Sequence, residues 1–133
     1  MAQRKIENKL LHDRVVEEIK DNLNQKDYDI YINPGSEKNA SVAGNYPDVI
    51  MTKKGETTVQ FIMEVETSDS ITKTEAEDQW KKYATEIKAT FYLIVPEASR
   101  SRAIQLCQQV GVNARFATYV VNQFDGRISF NFD

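Results

Sequence analysis

Hydrophobic residues along the chain repeat with two different periods, and these periods predict where helices and strands lie. Near the N-terminus, apolar residues recur every four positions without Gly or Pro, which is typical of an amphipathic helix and predicts one over residues 4–24. Farther along, alternating or continuous apolar runs are typical of β-strands. These runs predict strands at residues 27–32, 49–51, 57–66, 90–95, 115–121 and 127–132. The helical period returns at residues 72–88 and 99–110.

The order of these elements, α-β-β-β-α-β-α-β, predicts an α/β fold with a mixed central β-sheet flanked by helices. The first three strands form an antiparallel meander, whereas the later strands are joined by helices through right-handed crossovers. The last strand, at residues 127–132, is expected at an edge of the sheet. The chain has 133 residues, the length of one typical domain. We therefore expect a single domain over residues 1–133.

The composition narrows the class of protein. Hydrophobic residues make up 41% and charged residues 28% of the chain, and 17 Lys and Arg against 20 Asp and Glu give a net charge of −3. These values argue against a disordered chain, a coiled coil or a histone-like basic protein. A single cysteine cannot form an internal disulfide, and no apolar run approaches the roughly 20 residues that span a bilayer. We therefore expect a cytoplasmic protein without a membrane partner.

Two acidic residues at the end of the third predicted strand are the first candidates for chemistry. Because side chains alternate along a strand, Glu64 and Glu66 project to one face, and Val59, Phe61, Met63 and Val65 project to the other. Asp48 begins the preceding strand, and a hairpin turn at residues 53–56 would set Asp48 roughly opposite Glu66. Three carboxylates without Cys or His favour a hard cation, Mg²⁺ or Mn²⁺. The alternative is that these acids are charged strand ends exposed to water.

The pattern around these acids resembles the PD-(D/E)XK nuclease superfamily, which has the restriction-endonuclease-like fold. The matching residues are Pro47-Asp48, followed after fifteen residues by Glu64-Val65-Glu66. The leading helix, the three-strand meander, the next helix and the next strand agree with the order of that core. Gln79 and Tyr83, on the helix after the motif, are similar to the QxxxY element of the RecB-type branch. The resemblance covers residues 4–95.

This resemblance implies a metal-dependent endonuclease that hydrolyses phosphodiester bonds of DNA, with no small-molecule organic cofactor. It implies that Asp48 and Glu64 coordinate Mg²⁺ or Mn²⁺, with the carbonyl of Val65 as a further ligand. Gln79 and Tyr83 would contact the metal-bound water or a phosphate. A homodimer would supply two sites for two DNA strands.

The chain departs from the family at one position, because Glu66 stands where the family usually has a lysine. That lysine helps to activate water and to stabilise developing negative charge, which a carboxylate does not do electrostatically. Three alternatives follow. Glu66 acts as base or ligand; or a lysine from a neighbouring element, Lys73, Lys81 or Lys82, takes its place. In the third, the domain keeps the fold without cleavage and acts as a nucleic-acid or protein binding module.

Other residues are open to both a structural and a functional interpretation. His12, the only histidine, points toward the apolar side of the first helix, either as a buried core residue or as a contact to the site. Glu18 on the same helix is a candidate to complete the metal site. Trp80 and Cys107 lie on apolar helix faces, where we expect them to pack in the core. Three residues of the loop after the first strand are candidates for contacts to a phosphate backbone: Ser36, Lys38 and Ser41. A basic rim around the acidic site, which would let the protein bind DNA, is predicted from Lys53, Lys54, Lys73, Lys81, Lys82, Lys88, Arg100 and Arg102.

Overall fold

The structure, a computed structural model, describes residues 6–35 and 38–132, and its first element is an amphipathic helix. Helix α1 spans Ile6–Ile19 and continues into a 3₁₀ turn at Lys20–Asn22. Its buried residues are His12, Val15, Val16 and Ile19. The helix therefore ends before the predicted residue 24, because its last turn tightens to 3₁₀ geometry, as is common at helix ends. The predicted start at residue 4 lies outside the described residues.

Six strands form one sheet, and their order across the sheet is their order along the chain. The strands are β1 (Tyr28–Ile32), β2 (Val49–Lys53), β3 (Val59–Val65), β4 (Thr90–Pro96), β5 (Arg115–Val121) and β6 (Ile128–Phe132). The first three pair antiparallel, β3, β4 and β5 pair parallel, and β6 returns antiparallel to β5. The predicted α/β fold with a mixed sheet and flanking helices is confirmed, as is the edge position of the last strand.

The helical segment between β3 and β4 is interrupted. It consists of α2 (Lys73–Glu75), a π-helical stretch (Ala76–Trp80) and α3 (Lys81–Glu86), where the sequence predicted one continuous helix over residues 72–88. Thr72 caps the start, since its hydroxyl oxygen accepts the N–H of Glu75 at 3.1 Å. A π-helical stretch closes its hydrogen bonds over five residues instead of four, and such stretches are rare and frequently lie at functional sites.

The connection between β4 and β5 is regular. A 3₁₀ turn at Glu97–Ser99 leads into α4 (Arg100–Val110), which ends at Gly111 with φ of 73°. This left-handed conformation suits glycine, so the predicted C-terminal cap is confirmed. Within the described residues, no helix combines the length and the apolar character that crossing a membrane requires.

Each face of the sheet carries its own hydrophobic core. On one face, α1 packs on Val49, Met63, Val65, Ile94 and Ala117. On the other face, Ile62, Leu93, Trp80, Tyr83 and Cys107 belong to the core with the helices from α2 to α4. Trp80 and Cys107 are therefore core residues, as the sequence predicted. Burial raises the pKa of Cys107 to about 11, so its thiol stays neutral at ordinary pH.

One side-chain direction in β3 differs from the prediction. Strict alternation put Val59 on the same face as Phe61, Met63 and Val65, but Val59 packs with the helices on the opposite face. The cause is a register shift between Met51 and Thr52. An irregularity of this kind adds a residue on one strand and reverses the alternation beyond it.

The cap at Gly111 gives a stability prediction. A Cβ at this position meets no heavy atom within 4 Å, so Gly111→Ala changes only the backbone energy. We expect Gly111→Ala to lower the free energy of unfolding by about 1 kcal/mol, since alanine disfavours positive φ. Gly111→Asn should lower the free energy of unfolding by less, because asparagine tolerates this conformation. Urea unfolding of the three proteins tests the order; equal stability of the alanine variant and the wild type contradicts it.

Candidate functional site

Asp48 and Glu64 face each other where β2 begins and β3 ends. Val49 pairs with Met63, so the same antiparallel register continued by one residue sets Asp48 opposite Glu64. The N–H of Asp48 donates to Glu64 Oε1 at 3.0 Å, and the N–H of Val65 donates to Asp48 Oδ2 at 2.8 Å. The prediction that Asp48 lies opposite Glu66 is wrong. The pairing of Val49 with Met63 leaves Glu66 two residues beyond the position opposite Asp48.

Two further buried acids adjoin this pair. Glu66 follows β3 and is 0% exposed, and Glu75, in α2, is 4% exposed. The Ser70 hydroxyl donates to Glu66 Oε1 at 2.8 Å, and the Tyr119 hydroxyl donates to the carbonyl of Glu66 at 2.8 Å. We call Asp48, Glu64, Glu66 and Glu75 the acidic cluster. It joins the ends of two strands to the start of the interrupted helical segment.

The cluster changes the protonation of Glu64. Burial raises the pKa of Glu64 well above its usual value of 4.5, and the charges of Asp48, Glu66 and Glu75 raise it further. The hydrogen bond from the N–H of Asp48 lowers this pKa but does not offset the other causes. Negative charges held this close in a desolvated site favour either a bound proton or a bound cation.

Tyr83, on α3, faces the acidic cluster. Burial raises its pKa above the usual value, and the charges of the four acids raise it further, Glu64 most strongly among them. The phenol therefore stays protonated and keeps an O–H that can donate a hydrogen bond. Gln79 lies four residues earlier, half-buried within the π-helical stretch.

His12 links α1 to the cluster from the other side of the sheet. Its Nε2 lies 3.1 Å from Asp48 Oδ2, and its Nδ1 lies 2.9 Å from Asp13 Oδ1. His12 as a whole is 6% exposed. When both ring nitrogens carry protons, the ring is a cation that donates a hydrogen bond to each of the two carboxylates. His12 is thus both buried and in contact with the site. The sequence had left these two interpretations as alternatives, and the structure combines them.

The other predicted additions to the site lie elsewhere. Glu18 accepts a hydrogen bond from Arg14 at 2.5 Å. It is six residues beyond His12, about 9 Å along the helix axis, so helix geometry separates it from Asp48. Lys73 is exposed and lies 3.9 Å from Glu77, and Lys81 and Lys82 are exposed. Among the described residues, the charges that shift the pKa of Glu64 are those of carboxylates.

Three lysines of the predicted basic rim lie at the end of the sheet away from the cluster. Lys53 ends the strand that Asp48 precedes, which separates the two by roughly 16 Å along the strand. Lys54 pairs with Asp29 at 3.3 Å at that far end. Lys88 is exposed and precedes β4, again at the end of the sheet away from the cluster.

Arg100 and Arg102 begin α4, after the carboxyl end of β4, so they lie at the end of the sheet that carries the acidic cluster. Lys38 lies 5.2 Å from the ring centre of Tyr46. Arg100 lies 6.0 Å from the ring centre of Phe116, and Arg102 donates to the carbonyl of Ile71 at 3.0 Å. Ser41 is exposed, and Ser36 lies outside the described residues.

Sequence reasoning missed Glu75. The pattern Thr72-x-x-Glu75 is typical of a capping box, in which the glutamate faces solvent and closes the helix end. The available signal was its position: Glu75 lies four residues after buried Ile71 and just before buried Ala76. An acid on the apolar stripe of a helix indicates a buried charge.

The oxygens of the central pair fit a hard divalent cation. Among the described residues, hydrogen bonds use Asp48 Oδ2 and Glu64 Oε1, and none uses Asp48 Oδ1 or Glu64 Oε2. Within residues 6–35 and 38–132, no three His, Cys, Asp or Glu side chains are arranged to hold a metal by themselves. Mg²⁺ fits such a pair, because it commonly takes one or two carboxylates and completes its shell with water and substrate phosphate.

Comparisons of the chain with protein-family models, curated proteins and solved structures give no match.

The pKa of Glu64 predicts how stability depends on pH. Its raised pKa means that, between pH 4.5 and the folded-state pKa, the folded protein holds a proton that the unfolded chain has released. In EDTA, the free energy of unfolding should therefore fall as pH rises through this interval. Glu64→Gln keeps an acceptor for the N–H of Asp48 without the charge.

We expect the Glu64→Gln variant to show a smaller slope and greater stability at pH 7 than the wild type. Urea unfolding between pH 4 and pH 8 measures both. Glu56→Gln, at an exposed position in the β2–β3 turn, is the matched control and should retain the wild-type slope. If the free energy of unfolding depended on pH equally in the wild type and Glu64→Gln, the raised pKa of Glu64 would be contradicted.

Proposed function

We propose that this protein is a metal-dependent endonuclease with a restriction-endonuclease-like core, which hydrolyses phosphodiester bonds of DNA. The observation that carries the proposal is the pairing of Asp48 with Glu64: two buried carboxylates at the ends of adjoining strands, with mutual hydrogen bonds to each other's strands. The order of elements supports it as well, since an antiparallel meander is followed by parallel β4 and β5.

In this proposal Asp48 and Glu64 hold Mg²⁺ or Mn²⁺, together with the carbonyl of Val65. When bound, such an ion lowers the pKa of water and stabilises charge on the phosphate. His12 keeps Asp48 in place through the contact to Oδ2, which leaves Oδ1 to face the ion. Asp13 orients the imidazole from its other nitrogen.

The helical segment supplies groups for the phosphate. Tyr83 stays protonated, so its hydroxyl donates a hydrogen bond to a phosphate oxygen. The amide of Gln79 serves the same phosphate or the attacking water. Exposed Lys73, Lys81 and Lys82 lie on the same segment and supply positive charge for the DNA backbone.

Glu66 takes the place of the lysine that the family usually has. Ser70 holds one oxygen of this carboxylate, and the charge of Glu66 acts on Glu64. As a carboxylate, Glu66 accepts a proton from the attacking water, but it does not stabilise negative charge on the phosphate. That second task falls to the cation and to Tyr83.

A second candidate function is a catalytically inactive binding module for nucleic acid or protein on the same fold. One observation favours it: among the described residues, the charges that shift the pKa of Glu64 are those of carboxylates, whereas the family usually has a lysine beside this acid. In this case the acidic cluster is either the remnant of a lost active site or a site that binds a cation without hydrolysing DNA.

Cleavage assays distinguish the two functions. We expect Mg²⁺-dependent cleavage of DNA, tested on duplex, single-stranded and branched substrates, by the wild type. Asp48→Asn and Glu64→Gln should each lower the rate by at least about a hundredfold, because each removes a charge that holds the ion. Glu56→Gln should cleave at the wild-type rate. Full cleavage by a folded Glu64→Gln variant would refute the proposed mechanism.

Cation binding can be measured separately from cleavage. A ligand that binds only the folded state raises stability by about 1.4 kcal/mol at ten times its Kd. We therefore expect Mg²⁺ or Mn²⁺ to raise the melting temperature of the wild type but not of Glu64→Gln. A wild type that binds the ion without cleaving DNA would support the binding module. An unchanged melting temperature at millimolar Mn²⁺ would contradict a cation site.

A further inference from the structure

β6 is an edge of the sheet with an open row of backbone groups. It pairs with β5 on one side, and no described residue pairs with it on the other. Edge strands usually carry protection against pairing with another chain, such as a lysine, a proline or a bulge. The strand has the sequence Ile-Ser-Phe-Asn-Phe, which contains none of the three.

The hydrogen-bond pattern shows which groups point outward. The N–H of Asn122 donates to the carbonyl of Arg127 at 2.8 Å, so this is a hydrogen-bonded pair of the antiparallel ladder. Such pairs alternate with pairs that lack hydrogen bonds. Ser129 and Asn131 therefore bond to β5, whereas the N–H and C=O groups of Ile128, Phe130 and Phe132 point to the open edge.

The residues of β6 are complementary to a second, antiparallel copy. If Phe130 faces Phe130 of the second copy, Ile128 faces Phe132, and each facing pair forms two hydrogen bonds with its outward groups. The side chains also match. Ile128, Phe130 and Phe132 lie on the α1 face of the sheet, and Ser129 faces Asn131 on the other. Apolar side chains therefore meet apolar ones, and polar side chains meet polar ones.

The other edge strand, β1, is protected. It carries Asp29 near its centre, which accepts the N–H of Gly55 at 3.0 Å and pairs with Lys54. Two antiparallel copies of β1 centred on Asp29 would bring like charges together, which destabilises such a pair.

We propose that β6 is the interface of a homodimer, in which two copies pair their β6 strands antiparallel around Phe130 and join their sheets into one. The interface does not depend on the proposed nuclease function. β4 and β5 lie between β6 and β3, so the acidic cluster stays outside the interface.

A pair of double variants tests the register. In Ser129→Lys/Asn131→Lys, lysines of the two copies face each other, whereas in Ser129→Lys/Asn131→Glu each lysine faces a glutamate. Both substituted positions are exposed, so the fold of one copy should tolerate either variant. By sedimentation from micromolar to millimolar protein, we expect the wild type and the Lys/Glu variant to dimerise. The Lys/Lys variant should dimerise at least about tenfold more weakly.

Hydrogen exchange provides a second measurement. The amides of Ile128, Phe130 and Phe132 should be protected only at concentrations where the dimer forms, and should exchange rapidly in the Lys/Lys variant. The amides of Ser129 and Asn131 should be protected at all concentrations, because they bond to β5. Circular dichroism checks that both variants are folded.

Three outcomes would overturn the proposal. A wild type that stays monomeric at millimolar concentration excludes the homodimer and leaves the edge for another partner. Equal dimerisation of the Lys/Lys and Lys/Glu variants means that dimers form through another surface. Protection of the Ser129 and Asn131 amides alone, in a protein that dimerises, leads to the same conclusion. None of these outcomes bears on DNA cleavage.

Discussion

The site depends on the register in which β2 and β3 pair. That register sets Asp48 against Glu64, and each residue's carboxylate accepts a main-chain N–H from the other's strand. Two carboxyl groups are therefore held at the same end of a sheet, in surroundings where water does not screen their charges. Burial of such charges opposes folding unless a proton, hydrogen bonds or a cation offsets it. The close burial of these two carboxyl groups is therefore the main physical reason to expect a divalent ion.

The two layers of helices support the pair from opposite faces of the sheet. α1 contributes His12, a donor to Asp48, while the interrupted segment contributes Glu75 and Tyr83. These groups have opposite electrostatic effects on the pair, because His12 can supply positive charge and Glu75 adds negative charge. The π-helical stretch lies between Glu75 and Tyr83 and changes the angle between them relative to a regular helix. The face of the sheet that carries α1 also carries the apolar side of β6.

Much of the fold was predictable because apolar periodicity reports burial directly. The six strands, the helix before them and α4 with its glycine cap follow from periods of two and nearly four residues. The interruption of the second helical segment was not predictable, since Ala76 and Trp80 fit the apolar stripe of a regular helix equally well. Of the site, the residues Asp48, Glu64 and Glu66 came from sequence, whereas Glu75 resembled an ordinary helix cap.

The sequence by itself determined which residues are apolar, polar or acidic along each element, and therefore which faces are buried and which acids end the strands. Only the tertiary structure decided that Asp48 meets Glu64 rather than Glu66, that His12 reaches Asp48, and that Glu18 and Lys53 do not reach the site. The physical reason is the difference between local and long-range constraints. Side-chain direction follows from backbone geometry within a few residues, but strand register and helix placement depend on the packing of the whole core.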